Sequence, residues 1–90
     1  MKVLKIGAEW CSGCVAMKPR WKKIEEQHPW LVTEYYDYDV SKEVVAKYSL
    51  ESAKLPTFIF LDDRGMEFLR LFGEVSEKDL IKVILENKKR

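Results

Sequence analysis

The sequence has few of the side chains that bind structural metals. It contains one histidine, His28, and two cysteines, Cys11 and Cys14. A structural zinc ion takes four ligands, mostly cysteine and histidine, so these residues would need carboxylates to complete a site. His28 also precedes a proline at the end of an expected helix, a position typical of an exposed residue beside terminal carbonyl groups. We therefore expect no metal site within the chain.

Neither sign of charge prevails, and long apolar runs are lacking. Sixteen Lys and Arg residues against fifteen Asp and Glu residues give a formal net charge of +1. Such a chain has no overall field to attract nucleic acid or anionic lipid, and the basic run 88–90 indicates a solvated tail. No segment approaches the ~20 apolar residues of a membrane-spanning helix, and the run 1–6 is too short and too charged for a secretory leader. If the printed sequence is the whole product, we expect a cytoplasmic protein with no nucleic-acid or membrane partner.

The chain is long enough for one small core. It has 90 residues, of which 47% are hydrophobic, and this content suits a single domain over residues 1–90. The hydrophobic pattern predicts an α/β fold with elements in the order βαβαββα, a four-stranded mixed sheet flanked by helices. The second strand carries several acidic residues, which favours an edge position. The predicted strands cover 2–7, 31–39, 57–61 and 66–72, and the predicted helices run from about Cys14 to Gln27, after Ser41 and after Ser76; 49–54 is a predicted loop.

The two cysteines lie where the first strand meets the first helix. Their spacing of three puts both sulfur atoms on one side of the helix, close enough for a disulfide. Cys11 at the helix N-terminus is the expected nucleophile, because unpaired backbone N–H groups favour a thiolate there. Cys14, one turn further and expected to be more buried, is the expected resolving thiol. A structural disulfide, or half of a zinc site shared between two chains, remains the alternative interpretation.

The run Ala8–Cys14, followed by Pro19 and by a Leu-Pro-Thr segment before a strand, resembles the thioredoxin family over nearly the whole chain. The resemblance implies a thioredoxin-like fold and a cis peptide bond at Pro56, which would leave the backbone of Leu55 free to pair with an extended substrate. An ordinary trans proline, and a Trp10 that only fills the core, are the alternatives. By the same resemblance the substrate-binding residues would be Trp10, Leu55, Pro56, Thr57, Phe72 and Gly73.

Three features depart from the family pattern. Lys5 stands where thioredoxins hold a buried aspartate that assists proton transfer at the resolving cysteine, so that assistance cannot be carried over. The lysine would either reach the thiols and lower their pKa or extend to solvent, and we favour the second. Ser12 and Gly13 replace the usual Gly-Pro pair. The chain also begins at the strand before the cysteines, as in the shorter, glutaredoxin-like form of the fold.

These observations predict a thiol-disulfide oxidoreductase that reduces protein disulfides through the Cys11/Cys14 dithiol. The expected partners are disulfide-containing proteins and an upstream reductase, and we expect a monomer that needs no cofactor. One alternative is a glutaredoxin-like enzyme that uses glutathione, which is disfavoured because Gly73-Glu74 stands in place of a double glycine. The other is a redox-inactive binding module on the same fold.

Overall fold

A computed structural model of the protein describes residues 1–89 and confirms the predicted order of elements. Within these residues the four strands form one sheet in the order β2-β1-β3-β4. β1 pairs with β2 in parallel, whereas β1 with β3 and β3 with β4 are antiparallel, so the sheet is mixed. The strands are β1 (Lys2–Gly7), β2 (Val32–Asp37), β3 (Thr57–Leu61) and β4 (Glu67–Phe72), and the helices are α1 (Ser12–Gln27), α2 (Lys42–Lys47) and α3 (Glu77–Glu86).

The sheet buries apolar side chains on both faces. Successive residues of a strand point to opposite faces, and along β1 this places Val3 on one face and Leu4 and Ile6 on the other. The first face packs under α1 and α3, and the second under α2. The buried residues of the first face are Val3, Met17, Trp21, Ile24, Leu31, Phe58, Phe60, Leu80 and Ile84, and those of the second are Leu4, Ile6, Leu50, Ile59 and Leu61.

β2 is an edge strand, as its acidic residues predicted, but it is shorter than the predicted segment 31–39. It ends at Asp37 because that side chain accepts hydrogen bonds from the backbone N–H groups of Asp39, at 2.8 Å, and Val40, at 3.3 Å. A carboxylate that bonds the backbone two residues ahead turns the chain away from a strand.

Two smaller predictions also need correction. The segment 49–54 is not all loop, since Ser52–Lys54 forms a 3₁₀ turn. β4 begins at Glu67 rather than at position 66, because the N–H of Met66 bonds the Asp62 carboxylate, at 2.9 Å, and its carbonyl accepts from the Asp62 N–H.

Ser76 caps α3 as predicted, with its hydroxyl oxygen accepting from the Asp79 N–H at 3.1 Å. None of the helices in residues 1–89 is long and apolar enough to cross a membrane.

Candidate redox site

Cys11 sits immediately before α1 and acts as its N-cap. Its backbone is extended, with φ −93° and ψ 107°, and its Sγ accepts a hydrogen bond from the Cys14 N–H at 3.1 Å. A sulfur that faces the unpaired N–H groups of a helix N-terminus lies at the positive end of the helix dipole, which lowers the pKa of a thiol. The position therefore suits the reactive thiolate that the sequence predicted there.

Cys11 and Cys14 form a disulfide, and their Cα atoms are 5.2 Å apart. The two residues are almost equally buried, at 8% and 6% relative exposure, so burial alone barely separates them. Their surroundings separate them more clearly. Cys11 caps the helix, whereas Cys14 lines a cavity beneath α1. The cavity is a feature that the sequence did not indicate.

The cavity has a volume of about 250 Å³ and opens between β1, β2 and α1. Gly7, the last residue of β1, forms part of its wall. A Cβ atom on Gly7 would lie 3.1 Å from the Cys14 Sγ, 3.1 Å from the Tyr35 hydroxyl oxygen and 3.2 Å from the Cys14 Cβ. Because glycine has no Cβ, a helix cysteine and a strand tyrosine approach each other over its backbone. The other residues of the wall that bear on the chemistry are Lys5, Trp21, Glu25 and Pro56.

The expectation that Lys5 extends to solvent is wrong. Its side chain is only 17% exposed, and its Nζ lies 2.6 Å from the Glu25 Oε2. The same carboxylate oxygen accepts from the Thr33 hydroxyl at 3.0 Å, and the Lys5 Nζ lies 5.7 Å from the centre of the Trp21 ring. The lysine is on β1, one of the two inner strands, and faces α1, where a carboxylate on that helix meets it. The charge is therefore paired inside the cavity.

The backbone opposite the cysteines has the form that the resemblance implied. The peptide bond between Leu55 and Pro56 is cis. The Pro56 carbonyl accepts from the Gly73 N–H at 2.7 Å, and Gly73 adopts φ +77°, a conformation that other residues rarely adopt. Within residues 1–89 the Leu55 carbonyl accepts no hydrogen bond, and the Pro56 Cδ lies 3.3 Å from where a Cβ on Gly13 would be. This segment therefore lies beside the first turn of α1.

Two large apolar side chains near the disulfide are open to solvent. Trp10 is 57% exposed, so it does not fill the core, and its Nε1 donates to the Asp39 Oδ2 at 2.8 Å. Phe72 is 47% exposed, and the Lys54 Nζ lies 5.3 Å from the centre of its ring. Thr57 differs from these residues. It is 1% exposed and donates to the Lys54 carbonyl at 3.1 Å, so its side chain lies inside the fold.

Sequence reasoning missed Tyr35, Glu25 and Asp39. Tyr35 pairs in register with Lys5 across the parallel strands, which becomes visible only when the register of β1 and β2 is known. Glu25 comes directly after Ile24, a buried residue of α1, and the hydrophobic pattern of the helix places it outside the apolar face. In the part of the chain that the structure describes, no cluster of three or more His, Cys, Asp or Glu side chains would hold a metal ion.

Solved structures of similar shape include thioredoxins. The X-ray structure of Fasciola hepatica thioredoxin is 30% identical, with a TM-score of 0.83, and the match covers 94% of this chain and 78% of that one. A structure of thioredoxin-2, described as a component of malaria parasite protein secretion machinery, is 26% identical, with a TM-score of 0.87 and coverage of 96% and 82%. The α/β fold is therefore the thioredoxin fold.

Sequence comparisons agree with the structural ones. Thioredoxin H-type 1 of Nicotiana tabacum is 33% identical over 76 residues, which are 84% of this chain and 58% of that protein. The chain thus spans somewhat more than half the length of this curated relative. A family model described as Thioredoxin matches residues 1–87. On this match, which takes in both cysteines and the cis-proline segment, the chain belongs to the thioredoxin family.

Proposed function

We propose that this protein is a thiol-disulfide oxidoreductase that reduces disulfides in protein substrates through Cys11 and Cys14. The observation that carries the proposal is the cysteine pair at the start of α1, where the Cys14 N–H bonds the Cys11 Sγ at 3.1 Å. This contact stabilises negative charge on the sulfur that would attack first. The membership of the family supports the same chemistry.

The reaction proceeds by two exchanges of sulfur bonds. The Cys11 thiolate attacks one sulfur of the substrate disulfide, a mixed disulfide forms, and the first substrate thiolate leaves and takes a proton. The Cys14 thiolate then attacks the Cys11 Sγ, which releases the second substrate thiolate and closes the Cys11–Cys14 disulfide. Two electrons pass from the dithiol to the substrate, so an upstream reductase must return two electrons for each turnover. No cofactor takes part in either step.

The surface around the disulfide fits an extended polypeptide. Trp10 and Phe72 offer exposed apolar area, and the unpaired Leu55 carbonyl offers a backbone acceptor for an added strand. Pro56 and Gly73 hold that acceptor in place through the bond between the Pro56 carbonyl and the Gly73 N–H. Thr57 takes no direct part in this proposal, since its buried hydroxyl fixes the same segment from inside.

Further parts of the proposal concern the protein as a whole. We take residues 1–90 as one domain that works as a monomer. Its substrates are disulfide-containing proteins, and its place of action is the cytoplasm, where thiols are kept reduced and paired cysteines are most often catalytic.

Insulin reduction tests the proposal directly. With dithiothreitol as donor, the chain should accelerate the precipitation of insulin chains, and Cys11→Ser should abolish that acceleration. Ser12→Ala is a matched control between the two cysteines and should retain most of the activity. Equal rates with the wild-type chain, the Cys11→Ser chain and no protein would contradict the proposal.

A redox titration decides the direction of exchange. The Cys11–Cys14 couple is equilibrated with glutathione buffers, and the fraction of disulfide is read by mass spectrometry after alkylation. A reductant should have a potential near that of thioredoxin, about −270 mV, whereas a value near −120 mV would indicate an oxidant. Comparing reduction by glutathione with reduction by a thioredoxin reductase separates this proposal from a glutathione-dependent enzyme.

A further inference from the structure

The Tyr35 hydroxyl lies beside the resolving cysteine. The hydroxyl oxygen and the Cys14 Sγ each lie 3.1 Å from the position that a Gly7 Cβ would occupy, so the two atoms are separated by no more than about twice that distance. Within residues 1–89 the Tyr35 hydroxyl makes no hydrogen bond. A hydroxyl that is free to donate therefore faces a sulfur that must carry negative charge during the reaction.

We propose that Tyr35 serves the resolving step, with its hydroxyl donating a hydrogen bond to the Cys14 sulfur when that sulfur is a thiolate. The inference rests on the proposed function, since it concerns the second exchange of that reaction. Opening the Cys11–Cys14 disulfide frees the Cys14 Sγ to rotate about its Cα–Cβ bond. The rotation and a small movement of the tyrosine ring bring donor and acceptor together over Gly7, which has no side chain to separate them.

The other charged groups of the cavity are engaged elsewhere or lie at its rim. On β1, the Lys5 ammonium is paired with Glu25 of α1, and that carboxylate also accepts from Thr33 of β2. Lys18 and Lys22 of α1 line the cavity but are exposed. The Tyr35 hydroxyl has a proton to share and makes no hydrogen bond in the described residues, and it lies as close to the Gly7 Cβ position as the Cys14 Sγ does, at 3.1 Å.

The protonation state of the Tyr35 hydroxyl suits a hydrogen-bond donor and not a base. Partial burial of the Tyr35 side chain, which is 50% exposed, raises its pKa above the ordinary value of 10.0, and the carboxylates of Asp37 and Glu9 raise it further. The hydroxyl therefore keeps its proton throughout the range in which thiols titrate. During resolution the Cys14 proton passes through solvent to the leaving substrate thiolate, the electron pair of the Cys14 sulfur forms the bond to Cys11, and Tyr35 keeps its own proton.

A titration of Cys14 tests this role without any turnover. In a Cys11→Ser chain labelled at the cysteine Cβ, the ¹³C chemical shift is followed by NMR as a function of pH. Tyr35→Phe should move the Cys14 titration to higher pH and leave about tenfold less thiolate at neutral pH, because a hydrogen bond to a charged group is lost. Tyr36→Phe is the matched control, since its hydroxyl donates to Glu34 at 2.9 Å and the ring packs on the other face of the sheet.

The outcomes are distinct. A Cys14 titration that is the same in Tyr35→Phe and Tyr36→Phe would overturn the inference, whereas a shift confined to Tyr35→Phe would support it. Should Tyr35→Phe not fold, Gly7→Ala gives a second reading, because its methyl carbon would lie 3.1 Å from both atoms and should hinder their approach, which also reduces the thiolate fraction. An unchanged titration there would overturn the inference. Failure of the proposed function appears separately, as absence of insulin reduction by the wild-type chain.

Discussion

The ion pair between Lys5 and Glu25 allows a quantitative test of how a charged residue is accommodated on β1, an inner strand of the sheet. Lys5→Met keeps an unbranched side chain and removes the ammonium group, and Glu25→Gln keeps the shape of the partner and removes its charge. The double variant completes a double-mutant cycle, whose coupling free energy measures the interaction of the two side chains.

The geometry sets the expected size of this coupling. The charged atoms are 2.6 Å apart, and the side chains are 17% and 34% exposed. A hydrogen bond between charged groups contributes about 1.5–3 kcal/mol, and this value is lowered because the carboxylate remains partly solvated. We expect a coupling of about 1–2 kcal/mol. The pair Lys2–Glu34 provides a matched control, since it is 3.4 Å apart with side chains 42% and 41% exposed, and its coupling should stay below about 0.5 kcal/mol.

The free energies of unfolding are measured by urea titration followed by circular dichroism, with reductant present so that all chains are compared as dithiols. Each 1 kcal/mol should also lower the melting temperature by about 4–8 °C for a domain of this size. A Lys5–Glu25 coupling below about 0.3 kcal/mol, or one no larger than that of Lys2–Glu34, would refute the assignment of a paired, partly buried charge.

Three further predictions concern the core, a surface pair and the rim of the redox site. Phe60→Ala should lower the free energy of unfolding by about 3–5 kcal/mol in urea titrations, because Phe60 is 0% exposed, and a loss below 1 kcal/mol would contradict its place in the core. Arg70 lowers the pKa of Glu67, so the stabilising effect of that pair is present above the unfolded-state pKa and is lost as the pH falls through the folded-state pKa. Glu67→Gln should therefore reduce stability by up to about 1 kcal/mol at pH 7, with a difference from wild type that disappears towards pH 2; a difference that persists there would count against the pair. Asp39→Ala removes the hydrogen bond of Trp10 and should slow insulin reduction about two- to tenfold with a change in tryptophan fluorescence, and unchanged rates would argue against a role for the fixed indole.

The order of elements could be predicted because each depends on local patterns. The apolar run of β3 and the acidic turn after it are sufficient to place the strand Thr57–Leu61, and the cap at Ser76 marks the start of α3. The site at the start of α1 could be predicted for the same reason, since two cysteines three residues apart define it without knowledge of the rest of the fold.

The missed features depend on contacts between distant residues. Lys5 meets a carboxylate twenty positions later, and no local pattern shows that α1 places Glu25 over that point of the sheet. The Tyr35 hydroxyl lies close to Cys14 because β1 and β2 pair in one register and Gly7 has no side chain to fill the space between them. Lys5, whose charged side chain had no predicted partner, and Tyr35, which the sequence analysis did not single out, thus line the same cavity.

Trapping the mixed disulfide tests the central claim, that Cys11 attacks and Cys14 resolves. Each single cysteine-to-serine variant is mixed with a disulfide-containing protein, and covalent adducts are counted by mass spectrometry of the unreduced mixture. We expect Cys14→Ser to accumulate an adduct at Cys11, because no second thiol remains to release it, and Cys11→Ser to accumulate little. Equal adduct in both variants, or more with Cys11→Ser, would contradict the unequal roles that the start of α1 and the cavity assign to the two sulfurs.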